Sequence, residues 1–312
     1  AEQFDRQVIT NIIRNVQFTY FNYFKASQLL VVARSNLMSS QQQLALAEQK
    51  YELGSAKKTD LLKAEVRFGQ AKVDVINNEA NLQNAYRTLK NAMGLIGSDQ
   101  NFSIEEVEIP LEIIPDFETG FELIQKFNPS VKAKQYQITS AELSAKIAKG
   151  SRLPTISANA SYSGNAETLG HAIANSYNDQ KRFNTGLSIS IPIFSGNSIN
   201  TRIQQAKIAV NKQESEYLTQ LQDLSVQLQS SLDQLNNYKE IIPINETILV
   251  SADEDLKLAQ VRYTHGSTII LEVLDAQVSV VRARSSLIRS KYDAYIEQAN
   301  LKALLGTLDT DK

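Results

Sequence analysis

Few side chains in this sequence have the types and spacing that catalysis or metal binding requires. Glu272 and Asp275 lie three residues apart in the first turns of a predicted helix. The helix dipole favours carboxylates there, so two solvated acids are the simplest interpretation. His171 is isolated in a polar stretch, which is typical of an ordinary surface residue. With two His, no Cys, no Gly-rich phosphate loop and no clustered metal ligands, the sequence predicts no enzyme, no cofactor and no metal site.

Composition favours long helices over one large globular core. Hydrophobic residues make up 42% of the chain and aromatic residues 7%, with no Trp. The 34 acidic and 32 basic residues are finely mixed and give a net charge of −2, so no basic face attracts nucleic acid. Apolar runs are much shorter than the roughly 20 residues of a transmembrane helix. Any contact with a bilayer is therefore expected to use strands.

Glycine breaks divide the first part of the helical pattern. One long helix is predicted over residues 4–50, which contain neither Pro nor Gly. Gly54 breaks this helix. A cap at Thr59 or Asp60 is expected to begin a second helix, which runs to Met93 before the next glycine.

The second part of the chain repeats this helical pattern after a strand pair. A helix is predicted over residues 117–149, with a break at Pro129, and a longer one over residues 200–262. Pro243 is expected to interrupt and kink the longer helix. After Gly266 a last helix runs to residue 305. Its predicted coiled-coil seam consists of Leu271, Leu274, Val278, Val281, Ile288, Tyr292 and Tyr295, with Ser285 as the one polar interruption.

Between Leu153 and Phe194 the apolar period changes from 3.6 residues to two, which predicts two strands. Each is near the roughly 9–11 residues that a tilted strand needs to cross a membrane. From alternation alone, a soluble half-buried hairpin is an equal alternative. The apolar, lipid-facing set is Ile156, Ala158, Ala160, Tyr162, Leu187, Ile189, Ile191 and Ile193. The opposite, water-facing set is Ser157, Asn159, Ser161, Ser188 and Ser190.

The sequence contains an internal duplication with an offset of 212 residues. Residues 44–94 and 256–306 align without a gap and match at fourteen of 51 positions. The motifs "YELGSAKKTDLLKAE" and "YTHGSTIILEVLDAQ" stand at equivalent places, so the turn and both helix ends align as well. Chance similarity between helical hairpins does not align all of these features, which favours duplication. By the same offset, the chain is expected to lack about 95 residues holding a first helix and a first strand pair.

The order of these motifs resembles the TolC-like outer-membrane efflux protein family over almost the whole chain. The resemblance rests on "YFNYFKA", the two duplicated turn motifs, "RLPTISANASYSG" and "LSISIPIFSGN". It implies a mainly α fold with a β-hairpin, in which long antiparallel coiled-coil helices form a trimeric α-barrel. The strands would contribute to a shared transmembrane β-barrel. Physical reasoning agrees, because a lone hairpin in lipid leaves two unpaired edges that other hairpins must complete.

The resemblance also implies a division of the chain into segments. The first helical hairpin of the periplasmic α-barrel would be residues 1–94, followed by a connector over residues 95–116. Residues 117–150 would form the helix leading to the barrel. A transmembrane hairpin over residues 151–196, with an extracellular loop at 164–182, would precede the second helical hairpin at 197–312.

The function that the resemblance implies is an exit duct in the outer membrane, with a large periplasmic part. Such ducts serve tripartite efflux pumps or type I secretion systems. The implied partners are two further copies of the chain in a homotrimer, a periplasmic adaptor protein, an inner-membrane pump of RND, ABC or MFS type, and outer-membrane lipid.

Site residues follow from the resemblance at the two turns. Glu272 and Asp275 match the positions where related proteins project carboxylates into the channel, so each would form a ring of three at a pore constriction. Thr59 and Asp60 match the outer partners of Tyr263 in an aperture latch. Thr268 stands where the family latch has an Arg, so the alternative contact is with Lys57 or Lys58. The expected adaptor-docking tips are Gly54, Ser55, Gly266 and Ser267.

Two other classes of protein remain as alternatives. A periplasmic adaptor also uses a long helical hairpin, but it requires Gly-rich β-domains, and this sequence predicts only one strand pair. A soluble structural coiled coil would purify without detergent and would not run as a heat-sensitive trimer.

Overall fold

The structure is a computed structural model that describes residues 2–95, 104–106, 114–163 and 182–308. The predicted extracellular loop, including His171, and most of the predicted connector lie outside these residues. Across the described ranges, none of the helices combines the length and apolar character that crossing a bilayer requires.

Six helices and two strands make up the described fold, which is mainly helical as the sequence predicts. The chain divides into two compact units, Ala1–Ala133 with Gln220–Lys312, and Lys134–Thr219. The elements in chain order are α1 (Glu2–Glu52), α2 (Lys58–Ala92), α3 (Phe117–Phe127), α4 (Pro129–Gly150), β1 (Thr155–Ser163), β2 (Arg182–Ser190), α5 (Ser198–Thr264) and α6 (Ile270–Leu305).

The α1–α2 and α5–α6 hairpins have the same turn geometry, in agreement with the duplication. Gly54 and Gly266 adopt left-handed backbones with φ of +70° and +75°. The N–H of each glycine bonds the carbonyl three residues back, and the following N–H bonds the carbonyl five residues back. This Schellman arrangement satisfies carbonyls that the helix end leaves free. A residue with a Cβ adopts this backbone only with strain, which explains a glycine at both turns.

The start of α2 differs from the prediction. Thr59 and Asp60 do not cap the helix, because it already begins at Lys58 and the extended residue before it is Lys57. Asp60 is the third helical residue, and its carboxylate accepts the Lys57 N–H at 3.4 Å. A carboxylate at this position satisfies the backbone of the capping residue, so the helix begins earlier than a capping carboxylate would predict.

The strands form one antiparallel hairpin in which Ile156 pairs with Ile189 and Tyr162 with Phe183. Each strand has nine residues. The second strand is shorter than predicted, since β2 ends at Ser190 and leaves Ile191 and Ile193 outside it. Pro192 explains the difference, because it has no N–H to donate to a neighbouring strand.

Pro243 does not interrupt the long helix. α5 is continuous for 67 residues through this proline. Proline lacks one N–H and so removes one backbone hydrogen bond of the helix, and the turns on either side keep the helix continuous.

The buried face of α6 is wider than the predicted seam. Leu274 and Tyr292 are buried as the seam requires, but Leu271, Val278, Val281, Ser285, Ile288 and Tyr295 are only partly buried. The other buried side chains include Ile270, Val273, Gln277, Val280 and Ala283. The reason is that α6 contacts α1, α2 and α3, whereas a heptad seam describes one neighbour.

Asn128 joins the α3–α4 junction to the end of α6. Its side-chain oxygen accepts the Ser130 N–H at 2.9 Å and so caps α4, with Pro129 as the first helical residue. Its amide nitrogen donates to the Leu304 carbonyl at 2.8 Å. Asn128 is buried, so these bonds satisfy a polar side chain where water is excluded.

An aromatic cluster lies between α1 and α6, away from the turns. Phe21, Phe24, Tyr292 and Ile296 form its buried part. The Tyr292 hydroxyl donates to the Glu106 carboxylate. Burial, and next this hydrogen bond to a negative group, raise the pKa of Tyr292.

A pair of glycines tests the packing at the end of α6. Gly94 and Gly306 have φ of +73° and +75°, but a Cβ on Gly306 would lie 2.6 Å from the Phe127 carbonyl, whereas one on Gly94 would meet nothing within 4 Å. We expect Gly94→Ala to cost about 1 kcal/mol of backbone strain. Gly306→Ala should cost about 1–3 kcal/mol more. Thermal unfolding followed by circular dichroism measures both, and equal losses would contradict the steric argument.

Candidate functional site

The two helical turns share one hydrophobic cluster to which α1, α2, α5 and α6 all contribute. Its smallest members are alanines, one or more from each helix, which let the backbones approach closely. Ile270 and Val273 at the start of α6 are fully buried. The buried members are Ala47, Ala64, Ala259, Tyr263, Ile270, Val273, Leu274 and Ala276. This cluster fixes the second hairpin against the first near the turns.

The glycines and serines of the turns lie at the surface. Gly54, Ser55, Gly266 and Ser267 are all exposed. Leu53 is 75% exposed and Ile269 58%, so each turn presents a large apolar side chain to its surroundings. The adaptor-docking role of these residues stays a prediction.

Lys50 is the main polar link between the two hairpins at the turns. Its ammonium donates to the Tyr263 carbonyl at 2.5 Å and to the Thr264 carbonyl at 3.5 Å. It also lies 4.2 Å from the centre of the Tyr263 ring. These carbonyls are the negative end of the α5 dipole, so a cation from α1 is favourably placed there.

The three residues of the predicted latch differ in their surroundings. Tyr263 is 6% exposed, and its buried hydroxyl has no hydrogen-bond partner among the described residues. Burial, and next the charge of Asp60, raise the pKa of this tyrosine. The Asp60 carboxylate accepts the Lys57 N–H, and Thr59 is exposed. The latch role of Thr59, Asp60 and Tyr263 stays a prediction.

The cation at Tyr263 differs from the two that the sequence suggested. Lys58 lies over the ring of Tyr51, 5.2 Å from its centre, and not over Tyr263. Sequence reasoning missed Lys50, although a signal exists. The duplication aligns Lys50 with Arg262, so each hairpin has a basic residue immediately before its turn tyrosine.

The two predicted constriction carboxylates have different surroundings. Glu272 is exposed in the first turn of α6. Asp275 lies 3.7 Å from Arg67 of α2, an ion pair between side chains that are 63% and 37% exposed. An exposed pair of this length contributes little to stability, but it offsets part of the negative charge of Asp275. Arg67 was not predicted, and the constriction itself stays a prediction.

A buried amide links α6 to α1 above the cluster. Gln277 is 5% exposed and donates to the Asn36 side-chain oxygen at 2.8 Å and to the Ser40 hydroxyl at 3.1 Å. Gln43, one turn nearer the α1–α2 turn, is 7% exposed, and neither polar atom of its amide has a partner among the described residues. The α1–α6 contact thus includes polar side chains within an otherwise apolar interface.

Every residue of the β-hairpin is exposed in the single chain. The predicted lipid-facing side chains are as exposed as the polar ones, with Ile156 and Tyr162 at 67%, Leu187 at 73% and Ile189 at 62%. Ile191 and Ile193, beyond the strand, are 61% and 95% exposed. One chain therefore supplies no cover for either face, and the lipid-facing assignment stays a prediction.

The part of the chain that the structure describes contains no group of three or more His, Cys, Asp and Glu side chains arranged to hold a metal ion.

Comparison with known proteins identifies similar chains. The family described as outer membrane efflux protein matches residues 1–95 and 122–307. Outer membrane protein TolC of Escherichia coli is 26% identical over 329 residues, which cover 98% of this chain and 63% of that protein. The cation efflux system protein CusC of Escherichia coli is 23% identical, over 98% of this chain and 66% of that protein. This chain thus spans about two-thirds or less of the lengths of these two curated relatives.

Among solved structures, a membrane protein from Pseudomonas aeruginosa superposes with a TM-score of 0.82 at 21% identity. The alignment covers 98% of this chain and 70% of that one. At 21% identity, this structural similarity establishes the fold of the chain.

The contacts at Tyr263 lead to opposite expectations for two substitutions. Lys50→Met removes a cation from a helix end and an aromatic ring, which should cost about 1–2 kcal/mol locally. Tyr263→Phe removes an unpartnered buried hydroxyl and should be neutral or stabilising by about 1 kcal/mol. Hydrogen–deuterium exchange across the second turn measures both changes. Faster exchange in Tyr263→Phe but not in Lys50→Met would show that the hydroxyl, and not the ammonium, holds the hairpin.

Proposed function

Because this chain belongs to the outer membrane efflux protein family, we propose that it is the outer-membrane exit duct of a tripartite efflux pump or a type I secretion system. One observation carries the proposal. The family match covers both helical hairpins and the strand pair between them, over residues 1–95 and 122–307. Small molecules or proteins would pass through the duct from periplasmic machinery to the exterior.

The exposed β-hairpin supports the outer-membrane location. An isolated two-stranded sheet has two edges of unpaired N–H and C=O groups, and in lipid each unpaired group costs several kcal/mol. Pairing with hairpins of other copies removes these edges. Under this proposal residues 151–196 form the membrane segment, with an outer loop at 164–182. Ile156, Tyr162, Leu187 and Ile189 face lipid.

The helical hairpins form the periplasmic part of the proposed duct. Residues 1–94 and 197–312 contribute the two hairpins, residues 117–150 lead to the membrane segment, and residues 95–116 connect the two halves. The partners are two more copies in a homotrimer, a periplasmic adaptor and an inner-membrane pump. The adaptor docks at the turns, where Leu53 and Ile269 are exposed beside Gly54, Ser55, Gly266 and Ser267.

The aperture lies near the start of α6 in this proposal. Three copies bring three Glu272 side chains together, and this ring of like charges attracts cations. Asp275 contributes less negative charge, because Arg67 lies 3.7 Å from it. Opening separates the α5–α6 hairpin from α1 and α2, and so breaks the contacts of Lys50 and moves Tyr263 away from Asp60.

The assembly and channel activity have a direct test. The protein expressed from its own gene should purify in detergent as a trimer that dissociates only on heating, and it should conduct ions in planar bilayers. Glu272→Gln should lower the cation preference of the current, measured as a reversal potential. A protein that stays soluble as a monomer without detergent, and never conducts, would instead support a structural coiled coil.

A second test separates the members of the latch. Asp60→Ala combined with Tyr263→Phe should raise single-channel conductance, because it removes the Asp60 carboxylate, whose negative charge acts on Tyr263 in the closed latch. Tyr263→Phe alone serves as the matched control and should change conductance little, since the hydroxyl has no partner. Unchanged conductance in the double variant would remove Asp60 and Tyr263 from the latch.

A further inference from the structure

The duplication allows the two hairpins to be compared position by position, far from the turns as well as near them. The 212-residue offset places α1 on α5 and α2 on α6, because α1 ends at Glu52 and α5 at Thr264, while α2 begins at Lys58 and α6 at Ile270. Protein interiors are closely packed, so counterparts of different size must fill the space between the helices in different ways.

In the first hairpin, two tyrosines and a lysine pack together between the helices. Tyr23 of α1 and Tyr86 of α2 lie with their ring centres 6.0 Å apart. Lys90, one turn farther along α2, lies 5.9 Å from the centre of the Tyr86 ring. An ammonium over an aromatic face is attracted by the ring. The first hairpin therefore fills this level with an aromatic pair under a cation.

The second hairpin has smaller side chains at the same positions. The tyrosine of α1 becomes Leu235 in α5, and the tyrosine of α2 becomes Gln298 in α6. Ala294, one turn before Gln298, stands where α2 has Leu82. All three changes remove volume, and a protein core closes such a space only in part. Lys302 occupies the place of the lysine, so the cation is retained where the rings are absent.

A cavity of about 260 Å³ lies at this level, where α3, α5 and α6 meet. Leu235 and Ala294, which are 4% and 0% exposed, contribute to its apolar wall, and Gln298 adds a polar side chain that is only 8% exposed. An apolar cavity of about 150 Å³ holds benzene. Pockets for small ligands begin at about 300 Å³. The cavity therefore has room for a substituted ring or a fused pair of rings.

The charge around the cavity is positive. Among the described residues that line it, the two charged side chains are Lys239 and Lys302. The counterpart of Lys239 is Ser27, so the second hairpin has an additional cation beside the space that its smaller side chains leave. Lys239 is exposed and thus lies on the solvent side of the cavity. A ligand with an apolar body and an anionic group complements both features.

We propose that this cavity binds an aromatic carboxylate. The ring of the ligand takes the place of the tyrosine pair and lies under Lys302, as Tyr86 lies under Lys90, and the carboxylate faces Lys239. Helices rise about 1.5 Å per residue, so roughly 40 Å of α6 separates the cavity from the turn at its start. The ligand would join α3, α5 and α6 without touching the residues of the proposed aperture. The inference therefore does not depend on the exit-duct proposal.

Photolabelling of the detergent-purified protein tests the position and the ligand class. The probe is 4-benzoylbenzoate, a photoreactive aromatic carboxylate. On irradiation it should label peptides containing Leu235 or Gln298, identified by mass spectrometry, and the labelling should saturate. 2-Naphthoate should compete, whereas decanoate, an anion without a ring, should compete at least tenfold more weakly. Equal competition by decanoate would assign the cavity to an acyl chain and overturn the proposal, as would the absence of saturable labelling.

Tyrosines taken from the first hairpin should close the cavity. Gln298→Tyr and, separately, Leu235→Tyr should each reduce saturable labelling at least tenfold, because the ring of the protein occupies the place of the ligand. Filling a cavity commonly stabilises a fold, so the thermal unfolding midpoint should stay the same or rise. The two variants approach the cavity from different helices, which provides a second test if one of them fails to fold. Unchanged labelling of a folded variant would contradict the assignment.

The role of the carboxylate has its own test. Lys239→Ser, which introduces the residue of the first hairpin, should weaken 2-naphthoate binding about two- to fivefold, as the loss of an exposed ion pair predicts. Binding of the uncharged 2-naphthalenemethanol should not change. Lys207→Ser removes an exposed cation from an earlier part of α5 and is the matched control. Equal losses in the two lysine variants, or no loss in Lys239→Ser, would show that the cavity does not recognise the anion and would overturn the proposal.

Discussion

The packing of α1 against α6 is the interaction on which the rest of the structure depends. Most of the stability of a helix in a protein comes from packing its apolar face, and the interface between α1 and α6 covers those faces. It combines an alanine-rich cluster near the turns with buried amides and an aromatic group farther along. Left-handed glycines at Gly54 and Gly266 set where each hairpin reverses, so the matching levels of the two hairpins meet.

Cations from the first hairpin determine the polar contacts between the hairpins near the turns. Lys50 binds the carboxyl end of α5, and Arg67 pairs with Asp275 of α6. The resemblance implied Thr59 and Asp60 as the partners of Tyr263, with Lys57 or Lys58 as the alternative to the arginine of the latch. In this chain Thr268 replaces the arginine, and the positive charges are supplied by α1 and α2.

Much of the fold could be predicted because its signals are local. Glycines at helix ends, long stretches without Pro or Gly, and a two-residue period each depend on neighbouring residues, and they located the helices and strands to within a few residues. Two of the misses also have local physical causes. Pro192 ended β2 earlier than alternation suggested, and Asp60 supported a helix start at Lys58. The α6 seam was incomplete because a heptad describes one neighbour and α6 has several.

The sequence by itself determined the duplication, the family and the positions of the turns, since all three are recorded in the order of residues along the chain. Only the tertiary structure decided which side chains meet across the hairpins. Lys50 and Tyr263 are 213 residues apart, and no local pattern relates them until the fold brings the last turns of α1 and α5 together. It also showed that Val32 of α1 is buried whereas Ile244, the equivalent residue of α5 in the duplication, is exposed. Burial depends on the packed neighbours of a residue and not on its type.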